Sequence, residues 1–493
     1  MSYKADSIFK NHFFNLSIQI LNIIFPLIAI PYTTRLFGPD ILGEVNFANS
    51  IVQYFMLIAS AGIPIYAVRE IAKSRDNNNL LKTKFFELSL IQGIFTLIST
   101  IIYIILIFTV SYMRVNLFIY LFLGIQIISN AFNFTWFIQG IEKYRYVAIA
   151  TFTSRFINVI LIFTMLNSQS DYITYAFIIG ITTLINNLIN LLVTVKLSTH
   201  FKSDNKIYIN NENLKVHVQA AMIFFLSDVA VKVYTAMDQT MLGIFSNSEA
   251  VGYYSMSIRL VKSLLTIVTS VAVVMLPRIS NSIKNNKIKE IKQYVGISIK
   301  LVYIIAIPAI FGMIAIGKEI ITIYLGPEFL KSIFIFKLIS ILLIIIGLAN
   351  VFGTQVMIPY GKEKKYTMIL GIAAVVNFMM NLILIKKYSY IGASIATIIA
   401  EFIIAYLSYR EAKKLIGNIP EIFQFWKYLI PSILFYIIIK FGVKAYATSD
   451  IYVILISIPM AAVIYGIGLI IQKEELTSYC ISKIIESIKI KFK

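Results

Sequence analysis

Between residues 13 and 471 the sequence is a succession of long, nearly uncharged apolar runs separated by short polar connections. The runs reach the roughly 20 residues that an α-helix needs to cross a hydrocarbon core about 30 Å thick. No other feature restricts the fold as sharply. Inside hydrocarbon every backbone amide and carbonyl must find a partner within the chain, so only helices and closed barrels span a membrane. A barrel alternates apolar and polar residues, whereas these runs are continuous. The composition agrees: 58% of residues are hydrophobic and 14% charged, with a mean hydropathy of +0.81. The expected fold class is an all-α polytopic membrane protein.

Spans are expected near 13–34, 45–68, 88–110, 117–139, 148–167 and 173–195, then near 219–244, 252–277, 294–317, 332–353, 367–385 and 391–409, with two more at 428–447 and 451–471. That makes about 14 transmembrane helices. The first run is too long for a signal-peptide core and shows no small-residue cleavage site, so it reads as a retained span. Of the 44 Lys and Arg, about 30 fall in connections on the side of the N-terminus and about 8 on the other, which places both termini in the cytoplasm by the positive-inside rule. The net charge of +20 is mostly this asymmetry, with affinity for anionic headgroups. With no soluble basic domain, nucleic acid is not an expected partner.

Catalysis has little to stand on. The connections are short, and no Gly-rich phosphate loop, nucleophile elbow or metal motif occurs. A single cysteine, Cys480, rules out an internal disulfide. His12, His200 and His217 are far apart in sequence, so no metal site or histidine proton relay is expected. A membrane glycosyltransferase would need a larger extracytoplasmic loop. The chain is read as a non-enzyme without cofactors.

The sequence repeats internally. "FGPDILGEVNFANSI" follows the first span and "FSNSEAVGYYSMSIRL" the seventh; Gly43 and Gly252 open the next helices, and Arg69 and Arg278 follow them at the same interval. "GIEKYRY" from Gly140 likewise matches "GKEKKYT" from Gly361. Spans 1–6 and 7–12 therefore read as two six-helix lobes. Six is even, so the pseudo-twofold runs along the membrane normal, as in transporters that rock between two halves. The expected organisation is an N-lobe at 1–217, a C-lobe at 218–410, and spans 13–14 with a basic tail at 411–493.

A charge at mid-span costs roughly 2.5–3.5 kcal/mol on insertion scales, so the few present need a reason. Asp228 and Lys232 are i,i+4 neighbours and fit an ion pair as well as a site. Arg259 and Lys262 are like charges on one face and call for an anion or a wet cavity. Arg155 has no carboxylate nearby in sequence. Lys300 and Lys337 lie near span ends and can snorkel. Arg155, Lys232, Arg259 and Lys262 are the candidate substrate-binding cations, suited to a diphosphate. Asp228, Asp238 and Glu401 are the candidate ion-coupling carboxylates, with structural ion pairing the alternative. Asn130, Asn133, Gln139, Asn158 and Gln355 could read a sugar or join helices.

"FPLIAIPYTTRLFGPDILGEVNFANSI" with "REIAKSRD", and "MDQTMLGIFSNSEAVGYYSMSIRL" in the second half, resemble the polysaccharide and O-antigen flippases of the Wzx type, within the multidrug/oligosaccharidyl-lipid/polysaccharide exporter superfamily. The resemblance covers spans 1–12 and is specific mainly at those motifs. It implies movement of undecaprenyl-diphosphate-linked oligosaccharide from the inner to the outer leaflet of the bacterial cytoplasmic membrane by alternating access, coupled to an ion gradient. A polysaccharide polymerase is the protein partner it implies. Lipid II flippases of the superfamily carry cavity arginines on spans 1, 2 and 8. Arg259 matches the last placement, whereas spans 1 and 2 offer only Arg35 and Arg69 at their ends. The alternative reading is an ion-coupled exporter of small organic cations of the multidrug and toxin extrusion type. Such an exporter wants unpaired carboxylates, and cations outnumber carboxylates within the spans.

Overall fold

The computed structural model describes residues 8–198, 210–447 and 449–478. The side chain of Lys232 and residue Cys480 fall outside the described part. The chain divides into two compact units, Met1–Gly252 and Tyr253–Lys493. In the first run α1 (Ile8–Ser60), α2 (Ile63–Ser74), α3 (Asn78–Thr109), α4 (Ser111–Val115), α5 (Leu117–Ser129), α6 (Thr135–Gly140), α7 (Tyr144–Met165), α8 (Tyr172–Ser198) and α9 (Asn211–Phe245), followed by the start of α10 (Ser248–Lys284). The second continues with α11 (Ile288–Tyr324), α12 (Ser332–Ile339), α13 (Leu342–Asn350), α14 (Glu363–Ile416), α15 (Trp426–Ile438), α16 (Lys444–Tyr446) and α17 (Asp450–Ile471). Every regular element among the described residues is helical.

Ten described segments are long and apolar enough to cross a membrane, and the bent pair Ser248–Ser270 and Met275–Lys284 makes an eleventh. Two of the ten, Phe13–Ser74 and Glu363–Ile416, are 62 and 54 residues long. A straight helix of that length would run about 80 Å or more, well over twice a bilayer core. Each is broken instead: the first at Gly38 (φ 67°, ψ −178°) ahead of Pro39, the second at Ser389 (φ 49°, ψ −131°). Each therefore holds two of the expected spans.

Apolar side chains fill much of the interior, but many also face outward, and polar side chains on the spans turn inward. On α3 the buried face carries Glu87, Gln92, Thr96 and Ser99, while Leu97, Ile101, Ile105 and Phe108 stand exposed at i, i+4, i+8 and i+11. On α8, Asn187, Asn190 and Thr194 are buried and Leu188, Leu192 and Val195 exposed. Polar groups turn inward because only the protein interior offers them partners. The α3 network shows the result. Trp136 Nε1 donates to Gln92 Oε1 at 2.7 Å, Gln92 donates to the Asn130 and Asn133 carbonyls, and Asn130 donates to Thr96 Oγ1 at 3.2 Å.

The connections after Gly140 and before Glu363 hold a helix-ending turn of one kind. Glu142 N–H bonds Gln139 O and Lys143 N–H bonds Ile138 O; Gly361 N–H bonds Ile358 O and Lys362 N–H bonds Met357 O. Glu142 (φ 60°) and Gly361 (φ 70°) both occupy the left-handed position of this helix-ending turn. Aligned on this turn, Glu142 stands at the position of Gly361, a glutamate where the left-handed backbone favours glycine; the same turn recurs at Asn286 and Lys473, so it does not by itself mark the repeat.

The two repeat-opening glycines meet in the first unit. A Cβ on Gly43 would lie 1.7 Å from Ser248 O, and one on Gly252 would lie 1.9 Å from Pro39 O. The second half of α1 and the start of α10 therefore touch backbone to backbone, as small residues allow within membranes. In the second unit α11 packs against α12, α13, α15 and α17. Tyr303 Oη donates to Ile422 O at 2.9 Å, Tyr465 Oη to Ile304 O at 3.2 Å, and Lys300 pairs with Glu475 at 2.5 Å. Lys300, expected to snorkel, is a buried tie to the segment after α17.

Gly252→Ala should destabilise the protein by about 1–3 kcal/mol through overpacking. Gly93→Ala, with nothing within 4 Å of the added carbon, should not. Thermal unfolding in detergent compares the two; equal melting temperatures would contradict the close approach.

Candidate functional site

Where α1, α6, α7 and α8 of the first unit converge, they leave a cavity of about 280 Å³, close to the lower end of ordinary ligand pockets, roughly 300 Å³. Helical spacing explains its polar wall. Thr151, Ser154 and Arg155 of α7 lie at i, i+3 and i+4, and Thr182, Thr183 and Asn186 of α8 lie at i, i+1 and i+4, so each set shares one helix face. Thr135 and Gln139 of α6 and Asn22 of α1 complete the polar part, and no carboxylate is among the lining residues. Arg155 donates from Nε and Nη2 to Asn22 Oδ1 at 3.3 and 3.2 Å. That contact orients the guanidinium and leaves its fork geometry suited to an anion.

Amides fasten the wall. Asn186 Nδ2 donates to Ser154 Oγ at 3.0 Å, and Asn187 Nδ2 donates to Ser129 O and Oγ at 3.1 and 3.0 Å. Asn190 Nδ2 reaches Thr135 Oγ1 at 3.2 Å, and Asn158 Nδ2 reaches Thr182 Oγ1 at 3.1 Å. Among the sequence candidates for sugar contact, Gln139 lines the cavity. Asn130 and Asn158 join helices instead, the Asn133 side chain accepts locally from Thr135 N–H, and Gln355 of the second unit is buried, accepting from Ser298 Oγ at 2.8 Å.

Of the predicted cations, Arg155 is the one in the cavity wall. Arg259 and Lys262 are exposed on α10 in the second unit, on one face as their spacing requires. Asp228 is half-buried and Asp238 buried on α9 in the first unit, and Glu401 is half-buried on α14 in the second. Lys232, the i,i+4 neighbour of Asp228, lies outside the described side chains. The sequence reading missed Asn22, Thr151, Ser154, Thr182, Thr183 and Asn186. The signal for most of them was present, as polar residues three or four apart on otherwise apolar helices. The second unit has a different cavity, about 340 Å³, lined by Tyr303, Ile307, Ile310 and Phe311 of α11, Ile341 and Ile344 at α13, and Phe425 and Leu429 at α15. Its wall is almost wholly apolar, a surface for hydrocarbon.

A family model described as "Polysaccharide biosynthesis protein" matches residues 8–283, and one described as "MatE" matches 224–383. The "Putative O-antigen transporter" of Escherichia coli (strain K12) is 24% identical over 405 residues, 81% of this chain and 95% of its own. Among solved structures, "Lipid II flippase MurJ, inward closed conformation" superimposes with a TM-score of 0.74 at 19% identity, covering 94% of this chain and 99% of that one. An inward-facing multidrug resistance MATE family transporter of the MOP superfamily follows at a TM-score of 0.63 and 11% identity, covering 80% of this chain and 95% of that one. At these identities the two structures speak to the fold alone.

Asn187→Leu should remove both bonds to Ser129 and destabilise the chain by about 0.6–1.7 kcal/mol. Gln139→Leu, which changes the cavity wall, should leave the melting temperature near wild type. Detergent melts of the two variants test whether the amide ladder and the cavity surface are separable.

Proposed function

The chain belongs to the polysaccharide biosynthesis protein family, and on that premise we propose that this multi-pass membrane protein is a flippase for lipid-linked glycan rather than an enzyme. The observation that carries the reading is the chemistry of the Arg155 cavity: one guanidinium, surrounded by amides and hydroxyls, with no carboxylate in the lining. Amides and hydroxyls exchange hydrogen bonds with sugar hydroxyls, and a guanidinium favours a phosphate. An exporter of small organic cations would want the opposite sign. The name of a relative by sequence, "Putative O-antigen transporter", points the same way.

The finer reading is movement of an undecaprenyl-diphosphate-linked oligosaccharide from the inner to the outer leaflet of a bacterial cytoplasmic membrane, with both termini cytoplasmic. Arg155 would engage the diphosphate or its first sugar. Arg259, Lys262 and Lys232 would add anion affinity, and the apolar cavity of the second unit suits the prenyl chain. Asp228, Asp238 and Glu401 remain the proposed groups for ion coupling.

Proteoliposomes loaded with a labelled polyprenyl-diphosphate oligosaccharide test this. Wild type should flip it, and Arg155→Ala should slow flipping by about 10–100-fold, the loss of one charge-assisted contact. Arg259→Ala with Lys262→Ala should slow it further. Accumulation of an organic cation by a wild type that flips no lipid would overturn the reading.

A further inference from the structure

A second cluster of titratable groups lies in the first unit, away from the Arg155 cavity, where α9 rests on α2 and α3. His217 of α9 is 2% exposed and Glu87 of α3 is 0% exposed. His217 Nε2 stands 3.1 Å from Glu87 Oε2 and 2.7 Å from Lys84 Nζ, and Nδ1 stands 2.6 Å from Tyr66 Oη. Asn213, one turn earlier on α9, donates to Glu87 Oε1 at 3.2 Å. One turn later, Ala221 is buried in the apolar cluster of Ile63, Tyr66, Ile71, Leu88 and Phe137.

One ring nitrogen is asked to serve two partners of opposite demand. A neutral Nε2 has a lone pair and accepts from the Lys84 ammonium, but then offers nothing to Glu87. A protonated Nε2 donates to the Glu87 carboxylate, but then meets Lys84 donor to donor. The two arrangements exclude each other, and where Nδ1–H is held by Tyr66 Oη, so that Nε2 is bare in the neutral ring, uptake of a proton at Nε2 selects between them. Lys84, one-fifth exposed, gives that nitrogen a route to water. We propose that Lys84, Glu87 and His217, with Tyr66 and Asn213, form a proton-binding site that sets how firmly the first turns of α9 are held on α2 and α3. The site stands apart from the flippase reading, since it follows from the geometry of the first unit alone.

The titratable groups facing the imidazole are Lys84 and Glu87 from α3 and Tyr66 and Glu70 from α2, with Arg69 of α2 facing the Tyr66 hydroxyl. Burial, and then the Lys84 ammonium, hold the His217 imidazole below its ordinary 6.5, against the opposing pull of Glu87 and Glu70. His217 precedes the apolar run of α9 and lies outside the expected span. A depressed histidine is neutral when α9 is seated and gains its proton more readily when α9 lifts. The seating is therefore at full strength above pH 6.5 and weakens as pH falls below it.

Hydrogen–deuterium exchange of the full-length protein in detergent, followed over residues 211–224 between pH 5 and 8 and corrected for intrinsic rates, tests the proposal. Wild type should lose protection below pH 6.5 by up to about tenfold per pH unit, the slope of one linked proton, while α7 stays flat. Lys84→Gln keeps a donor and removes the charge, so the midpoint should rise by about one unit. Glu87→Gln keeps an acceptor and removes the charge, so the midpoint should fall by about one unit. A merely structural cluster gives no such opposite shifts. Wild-type protection that is flat with pH, or midpoints that move together or not at all, would overturn the proposal. The wild-type result stands even if a variant fails to fold.

Discussion

Hydrocarbon offers a backbone no hydrogen bonds, and the architecture follows from that single deprivation. Every regular element among the described residues is a helix because a helix pairs its own amides and carbonyls. Asn, Gln, Ser and Thr of the spans turn into an otherwise apolar interior while Leu, Ile and Phe also cover the surface, because the solvent is the apolar phase. Helix ends outside the hydrocarbon are closed by a turn that recurs along the chain. The turns at Glu142–Lys143, Asn286–Lys287, Gly361–Lys362 and Lys473–Glu474 all close with paired bonds to carbonyls three and five residues back. In each, the first residue of the pair adopts a positive φ. In three of the four that residue is not glycine, so a strain of about 1 kcal/mol is tolerated in exchange for satisfied carbonyls and a sharp reversal.

The polar interior divides into two chemical roles that composition alone does not separate. Gln92, Asn130, Asn187 and Asn190 bond across helices and hold them in register. Arg155, Gln139, Thr183 and Thr151 border open volume. The distinction is set by a few ångströms of helix spacing: where α1, α6, α7 and α8 close up, the amides bond one another, and where they part, the same residue types line a cavity able to meet a hydroxylated, anionic headgroup. The apolar cavity of the second unit, bordered by Phe311, Phe425 and Ile344, has the complementary chemistry.

Much of this was legible in the sequence, because hydropathy needs no tertiary information. The apolar runs, the non-enzymatic membrane class and Arg155 as a cation within an apolar run were all readable from residues. What escaped was long-range. Asn22 meets Arg155 across 133 residues, and nothing local announces it. His217 looked inert because the three histidines are scattered, yet a buried histidine needs no second histidine when Glu87 and Lys84 come to it from 130 and 133 residues away.

The amide ladder on α8 has a mechanical meaning. Its donors and acceptors engage α5, α6 and α7 at once, through Ser129, Thr135, Ser154 and Asn158. Turning α8 by a single residue rotates it about 100° and would strip all of those bonds together. Slippage of α8 alone would therefore cost several bonds at once, which ties α5, α6, α7 and α8 to one another. The facing wall of the Arg155 cavity, Ile18 and Asn22, belongs to α1 and stands outside that ladder, so the two sides of the recess are fastened by different means.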